Sequence, residues 1–371
     1  MVRRIALVCA CMLAFASPCA AQYYTVFDLG TLPSGDRGYA CGINESGQVV
    51  GSSWTNRSGS SNNHAVLWDN QTPAVDLNMP NPYSATFSTA LAINNTGRLT
   101  GTAYVNNKPI PVFGDTTGNI QPVEMSSAYE YAIPMRLNDT GIAAGSIYAG
   151  GTGYVGHAAR WDAAGRLQDL GTVPGNDYTR ACDINNAGLI VGSASTGYTT
   201  HAVAWNADRF ATRLPELPGT STSEARGVND LGQIVGSSGK YPVIWDAYGN
   251  PRALPLPTGT SSGHAVRINN CGMVVGEVYK SPPNRWQAAA WTADGTFIDL
   301  SLLVNAYRTT ASDINDRGEI VGNSVDERGW VWRPLLWTPV PEANAALSVC
   351  VGLGIMVTYV SRKKQESRDR S

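Results

Sequence analysis

Apolar residues along this chain come in short runs punctuated by Asn, Gly, Ser and Asp. One such stretch reads Ala40-Cys-Gly-Ile-Asn-Glu-Ser-Gly-Gln-Val-Val-Gly-Ser52, and it returns at Ala181–Ser193 and Ala311–Gly322. Short apolar runs bounded by turn residues predict strands. Ala-x-x-Ile-Asn is a first strand, and Asn-x-x-Gly is a type I turn with Asn favoured first and Gly fourth. Gly-x-Ile-Val-Gly is a second strand. Its paired apolar residues, such as Val49 and Val50, point to opposite faces, so both faces are buried, as when sheets stack on both sides. A His-Ala-Val-x-Trp run (His64–Trp68, His157–Trp161, His201–Trp205) is a third strand. The residues leading into Asp-Leu-Gly (Asp28–Pro33, Asp169–Pro174) are a fourth.

The core asparagines are Asn44, Asn94, Asn138, Asn185, Asn229, Asn269 and Asn315, at spacings of 50, 44, 47, 44, 40 and 46 residues. Four strands per ~45 residues is the size of a propeller blade. The body opens on the last strand of a unit, Tyr23–Gly30, and closes on a third strand, Pro334–Thr338. Seven units are complete only if the N-terminal strand joins the C-terminal unit, which closes a ring and hides its edges. The expectation is an all-β fold, a seven-bladed β-propeller of four-stranded blades over residues 22–339.

Composition agrees with many turns: 39 of 371 residues are Gly, and charged residues are 15% against a usual ~25%. The ends read differently. Met1-Val-Arg-Arg, an apolar run Ile5–Ala16 and small residues form a signal peptide over 1–21, with cleavage between Ala21 and Gln22. A lipoprotein cut before Cys19 is disfavoured by Pro18. At the other end, residues 340–371 carry Val340-Pro341-Glu342, an uncharged 18-residue stretch Ala343–Val360 long enough to span a bilayer, and Arg362-Lys-Lys364. Between the ends, 20 Lys and Arg face 26 Asp and Glu, a net charge of −6, which excludes affinity for nucleic acid or anionic membranes. Only Cys41, Cys182 and Cys271 lie outside the ends, too few for a disulfide framework.

The repeated Ile-Asn-x-x-Gly-x-Ile-Val-Gly, His-Ala-Val-x-Trp and Asp-Leu-Gly-Thr-Leu elements resemble the HAF-type extracellular repeat family over roughly residues 25–338. Unit three is worn, with Pro134 for Ala and Ala143-Ala144 for Ile-Val. The tail resembles the PEP-CTERM sorting signal, with Ala343 where a second Pro is usual. These resemblances imply export and recognition by an exosortase-type protease. The C-terminal helix would anchor the chain before processing, and the protein would end at the cell surface or in the extracellular matrix. They supply no catalytic residues.

Candidate chemistry is sparse. His64, His157 and His201 occupy one repeat position on different blades, too far apart to converge on a metal. Asp183–Gly188 and Asp313–Gly318 echo a calcium loop but lack its fifth and twelfth ligands. Cys41 and Cys182 read as small buried residues. No metal, cofactor or catalytic group is expected. The connection after each second strand carries an aromatic: Trp54, Tyr104, Tyr148, Tyr198, Tyr241, Tyr279 and Trp330. Beside Asn, Ser and Lys or Arg, they suit sugar rings, although several also continue a buried face. The expected function is therefore a non-enzymatic propeller binding extracellular polysaccharide or protein. The alternative is a propeller-fold polysaccharide hydrolase or lyase.

Overall fold

The computed structural model describes residues 23–55, 63–69, 73–77, 87–105, 108–149, 156–329 and 331–340. These form seven four-stranded antiparallel sheets arranged as blades around one axis. The residues read as a signal peptide, with Ala21 and Gln22, as well as Trp330, Pro341, Glu342 and the rest of the tail, lie outside the described residues. No helix among the described residues is long and apolar enough to cross a membrane. A 3-10 turn, Leu300–Leu303, is the only helical element among them.

Inner strands run Gly38–Ile43, Phe87–Ile93, Tyr131–Leu137, Tyr178–Ile184, Ser223–Val228, Thr260–Ile268 and Arg308–Ile314, in blades one to seven. Blade seven is completed by the N-terminal strand: Tyr24–Asp28 pairs antiparallel with Trp332–Pro339, setting Val26 against Trp337. Tyr24 lies buried there, its hydroxyl 3.3 Å from Met273 Sδ of blade six. The ring is therefore closed as the repeat phase requires.

The repeat residues hold the blades together. Each core Asn is buried and its side-chain amide donates to the backbone carbonyl of the next core Asn. The chain of bonds runs Asn44 to Asn94, Asn94 to Asn138, Asn138 to Asn185, Asn185 to Asn229, Asn229 to Asn269, Asn269 to Asn315 and Asn315 back to Asn44, at 3.0–3.2 Å. Its carbonyl oxygen accepts the N–H four residues on, fixing its own turn. The residue after each Asn repeats the circle one layer out, as when Glu45 N–H donates to Asn95 and Asp316 N–H to Glu45.

Each inner strand carries a β-bulge just before its last residue and the core Asn, for instance between Ala181 and Asp183. The bulge presses the strand onto the second strand's glycine. A Cβ on Gly192 would lie 1.9 Å from the Arg180 carbonyl oxygen, so only Gly fits. Six third strands end in a fully buried Trp, and most of these indole N–H groups cap a connecting loop from the preceding blade: Trp161 to Glu124 O, Trp245 to Pro215 O, Trp291 to Pro255 O. Val49 and Val50 are both buried, each in a different inter-blade core.

Candidate active site

Because strands alternate in direction, the Asn turns gather at one mouth of the axis. The starts of the inner strands and the ends of the second strands gather at the other. Cavities open at both mouths, and the two share Arg136 and Arg267 in their walls.

At the Asn mouth, a cavity of about 170 Å³ is lined by five of the core asparagines (Asn94, Asn138, Asn185, Asn229 and Asn269) and by Glu45, Asp139, Asp230, Asp316, Asp183 and Asp313. These acids are mostly committed to structure. Asp183 accepts its neighbour Ile184 N–H and, across blades, Val228 N–H, both at 3.0 Å. Asp313 accepts Ile314 and Ile43 N–H in the same way. This is what the calcium-loop echo does: it stitches blades. Among the described residues, no group of three or more His, Cys, Asp or Glu is placed to hold a metal ion.

The opposite cavity is larger, about 390 Å³, and chemically different. Its walls include Tyr39, Cys41, Arg136, Arg226, His264, Arg267, Glu277, Asn323 and Trp332. His264 and Glu277 are directly opposed on the first and second strands of blade six. Burial, reinforced by the charges of Arg226 and Arg308, pulls the His264 imidazole down to about 3, so it is neutral at physiological pH. Burial pushes the Glu277 carboxyl up, against the opposing pull of Arg308, which bonds it at 3.1 Å. Burial also pushes the Tyr39 hydroxyl up to about 12, keeping it protonated. Glu224 is held by both Nε and Nη2 of Arg226, at 3.0 and 2.7 Å.

The sequence-proposed aromatics belong to this face, several of them as packed pairs. Trp54 lies 5.8 Å from Tyr39, centroid to centroid, and Tyr39 packs at a tilt against Trp332, 4.9 Å away. Tyr104 packs on Phe87, Tyr148 on Tyr131, and Tyr279 on Trp286, which also touches His264 at 4.9 Å. Tyr198 is fully exposed on its turn, and Tyr241 is partly exposed beside Lys240. Among the described aromatic rings, Tyr39 and Trp332 reach the cavity wall; of the proposed set, Trp54 packs on Tyr39 of the wall, and Tyr279 is separated from His264 of the wall by Trp286. The repeat histidines pin outer strands: His64 to Asp76 at 2.7 Å, His157 to Asp169 and His201 to Glu216 at 2.9 Å. Cys41 and Cys182 are free thiols, and burial pushes Cys41 up to about 11, which makes it a poor nucleophile.

Sequence reasoning missed His264, Glu277 and the axial arginines because they are exceptions to the repeat. After the second-strand glycine, five blades carry Ser52, Thr102, Ser146, Ser193 or Ser237; blade six carries Glu277 and blade seven Asn323. Two residues before the core Asn, three blades carry Gly42, Ala92 or Gly227, where two others carry Arg136 and Arg267. Superposing the repeats and asking where polarity departs would have found them.

No family model and no curated protein matches the sequence. Solved structures do match the fold. Virginiamycin B lyase from Staphylococcus aureus aligns with a TM-score of 0.53 and 11% identity, over 86% of this chain and 100% of that one. An oligogalacturonate lyase in complex with manganese gives 0.56 and 15%, over 86% and 93%. Puromycin hydrolase gives 0.54 and 11%, over 81% of this chain and 54% of its own. At such identities the likeness is one of fold. The manganese of the second structure finds no clustered donor set among the described residues here. The expectation of a non-enzymatic binder is corrected by these comparisons: the three propellers named are two lyases and a hydrolase.

Proposed function

We propose that this protein is a propeller-fold polysaccharide lyase whose reaction takes place in the cavity between Tyr39, His264 and Glu277. The observation that carries the reading is the opposition of His264 and Glu277 inside a cavity walled by guanidinium groups. Elimination needs a group that takes a proton from carbon, a cation that steadies the developing negative charge and an acid that protonates the leaving oxygen. His264 has the nitrogen lone pair for the first task, and the Glu277 carboxyl opposed to it would steady the imidazolium that burial and the arginines otherwise disfavour; Arg226 is at hand for the second task and the protonated Tyr39 hydroxyl for the third. A glycoside hydrolase would instead use two free carboxylates flanking the bond. Here Glu224 is chelated by Arg226 and Glu277 is bonded by Arg308. The oligogalacturonate lyase and virginiamycin B lyase names support elimination on this fold. The aromatic pairs around the mouth would guide a sugar chain inwards.

The tripartite tail supports export, with Val340-Pro341-Glu342 as the motif read by an exosortase-type protease and the cell surface or matrix as the destination. The test of activity is to incubate the protein with acidic and neutral exopolysaccharides, following chain length and the ultraviolet absorbance of a new carbon–carbon double bond. Shortened chains carrying that bond support the lyase. Shortened chains with only new reducing ends would make it a hydrolase, and unshortened chains would overturn the enzymatic reading.

A further inference from the structure

Arg136 and Arg267 stand at the axis where the two cavities meet. Arg136, from blade three, reaches across to the backbone carbonyls of Leu91 (2.7 Å), Cys41 and Ser312, which belong to blades two, one and seven. Arg267 Nη1 donates to the carbonyls of Arg226 (2.5 Å) and Val266 (2.7 Å). The acceptors of both guanidinium groups are therefore neutral, and the Nε–H of each is buried with no acceptor. The nearest carboxylate, Asp313 Oδ1, lies 3.9 Å from Arg267 Nε.

Charge is also divided along the axis. Asp183 and Asp313, the formal counter-ions, line the Asn mouth together with four further acids, and neither lines the larger cavity. The larger cavity sees Arg136, Arg226 and Arg267 against the single carboxylate of Glu277. Arg226 is held by Glu224 and Arg267 has only the distant Asp313 oxygen, so Arg136, whose acceptors are all neutral, is left without a close anion, and such a buried cation favours an anionic occupant. A guanidinium is suited to a carboxylate, which it meets through paired N–H groups. The acidic opposite mouth repels the same group, so the site is reached from one side.

We propose that Arg136 and Arg267 form the floor of an anion subsite that seats a carboxylate of the substrate, making the substrate an acidic, uronate-type sugar chain. This rests on the lyase reading and deepens it. The carboxylate acidifies the neighbouring C–H. The base takes that proton, its electron pair forms the new double bond, and the C–O bond to the next sugar breaks. The departing oxygen takes a proton from the acid, and no further reactant is consumed.

The experiment is calorimetric titration of the full protein with galacturonate oligomers and with neutral galactose oligomers of equal length. It is repeated on Arg267→Gln and on the charge-retaining Arg267→Lys, with folding checked by circular dichroism. The proposal expects the acidic oligomer to bind and the neutral one to bind at least ~10-fold more weakly. It expects Arg267→Gln to lose ~10-fold or more and Arg267→Lys to lose less, as for removal of a charged hydrogen bond. Equal binding of both oligomers, or unchanged binding in a folded Arg267→Gln, overturns the subsite. Chain-length analysis of the same samples separates the two claims. Acidic oligomer bound but left intact would sink the lyase and keep the subsite; neutral chains cleaved without regard to Arg267 would do the reverse.

Discussion

Asn185→Ala removes one link from the circle of core asparagines. Its amide donates to Asn229 O at 3.0 Å, buried, and its carbonyl oxygen accepts Leu189 N–H at 2.9 Å, partly buried. Two neutral hydrogen bonds contribute about 1 kcal/mol each, and an orphaned Leu189 N–H adds a penalty of about 1–3 kcal/mol. Asn229 O keeps the Gly232 N–H, so it is not orphaned. The net cost is about 3–5 kcal/mol, large for one polar side chain in a protein of this size. Asn94→Ala is expected to cost more, since Asn94 also accepts from Thr96 N–H and its hydroxyl. Asn185→Asp gives a pH signature. An ionised carboxyl facing Asn229 O meets acceptor with acceptor, so its folded pKa is raised. The stability it contributes is then present at low pH and lost as pH rises through the carboxyl range. Urea unfolding at pH 4 and pH 8 measures all three variants. An Asn185→Ala protein within about 0.5 kcal/mol of wild type would refute the load assigned to the ring.

Three further outcomes follow from the same structure. Gly192→Ala sets a Cβ against Arg180 O and is expected to cost about 1–3 kcal/mol, read as a lower urea midpoint; an unchanged midpoint would remove the bulge from the explanation. Tyr24→Ala empties a buried site in the closing strand and is expected to cost about 3 kcal/mol, whereas Tyr24→Phe loses only the weak bond to Met273; equal stability of all three proteins would argue against N-terminal closure. Of the four histidines, His264 is expected to stay neutral in proton NMR titration down to about pH 3. Its depressed folded pKa means that the unfolded chain binds the proton first, so stability falls as pH drops from about 6 towards 3, and His264→Gln flattens that slope. A His264 resonance titrating near pH 6 would contradict the buried, cation-flanked environment.

The fold was legible because it is periodic. The phase of the repeats, ending on a third strand and beginning on a fourth, pointed to the closure that Tyr24–Asp28 makes. The asparagines were legible as turn formers. Their donation to the next blade was not, since that partner lies 40–50 residues away and exists only once the ring is assembled. The glycine of Ile-Val-Gly likewise owes its place to a bulge in the neighbouring strand. The site was illegible for the opposite reason. A reading that seeks what recurs passes over His264, Glu277, Arg136 and Arg267, whose chemistry lies in not recurring. The aromatics drew the eye because they recur, and Tyr104 and Tyr148 prove to be parts of packed pairs beyond the cavity wall.

The most direct test of the account is the rate of double-bond formation from a polyuronate by the wild-type protein and by His264→Gln, at matched fold and concentration. Cleavage by wild type that falls ~10²–10⁴-fold in the variant is the predicted result, the size expected for loss of a general base. No unsaturated product from wild type, or equal rates in both, would contradict the placing of catalysis in this cavity.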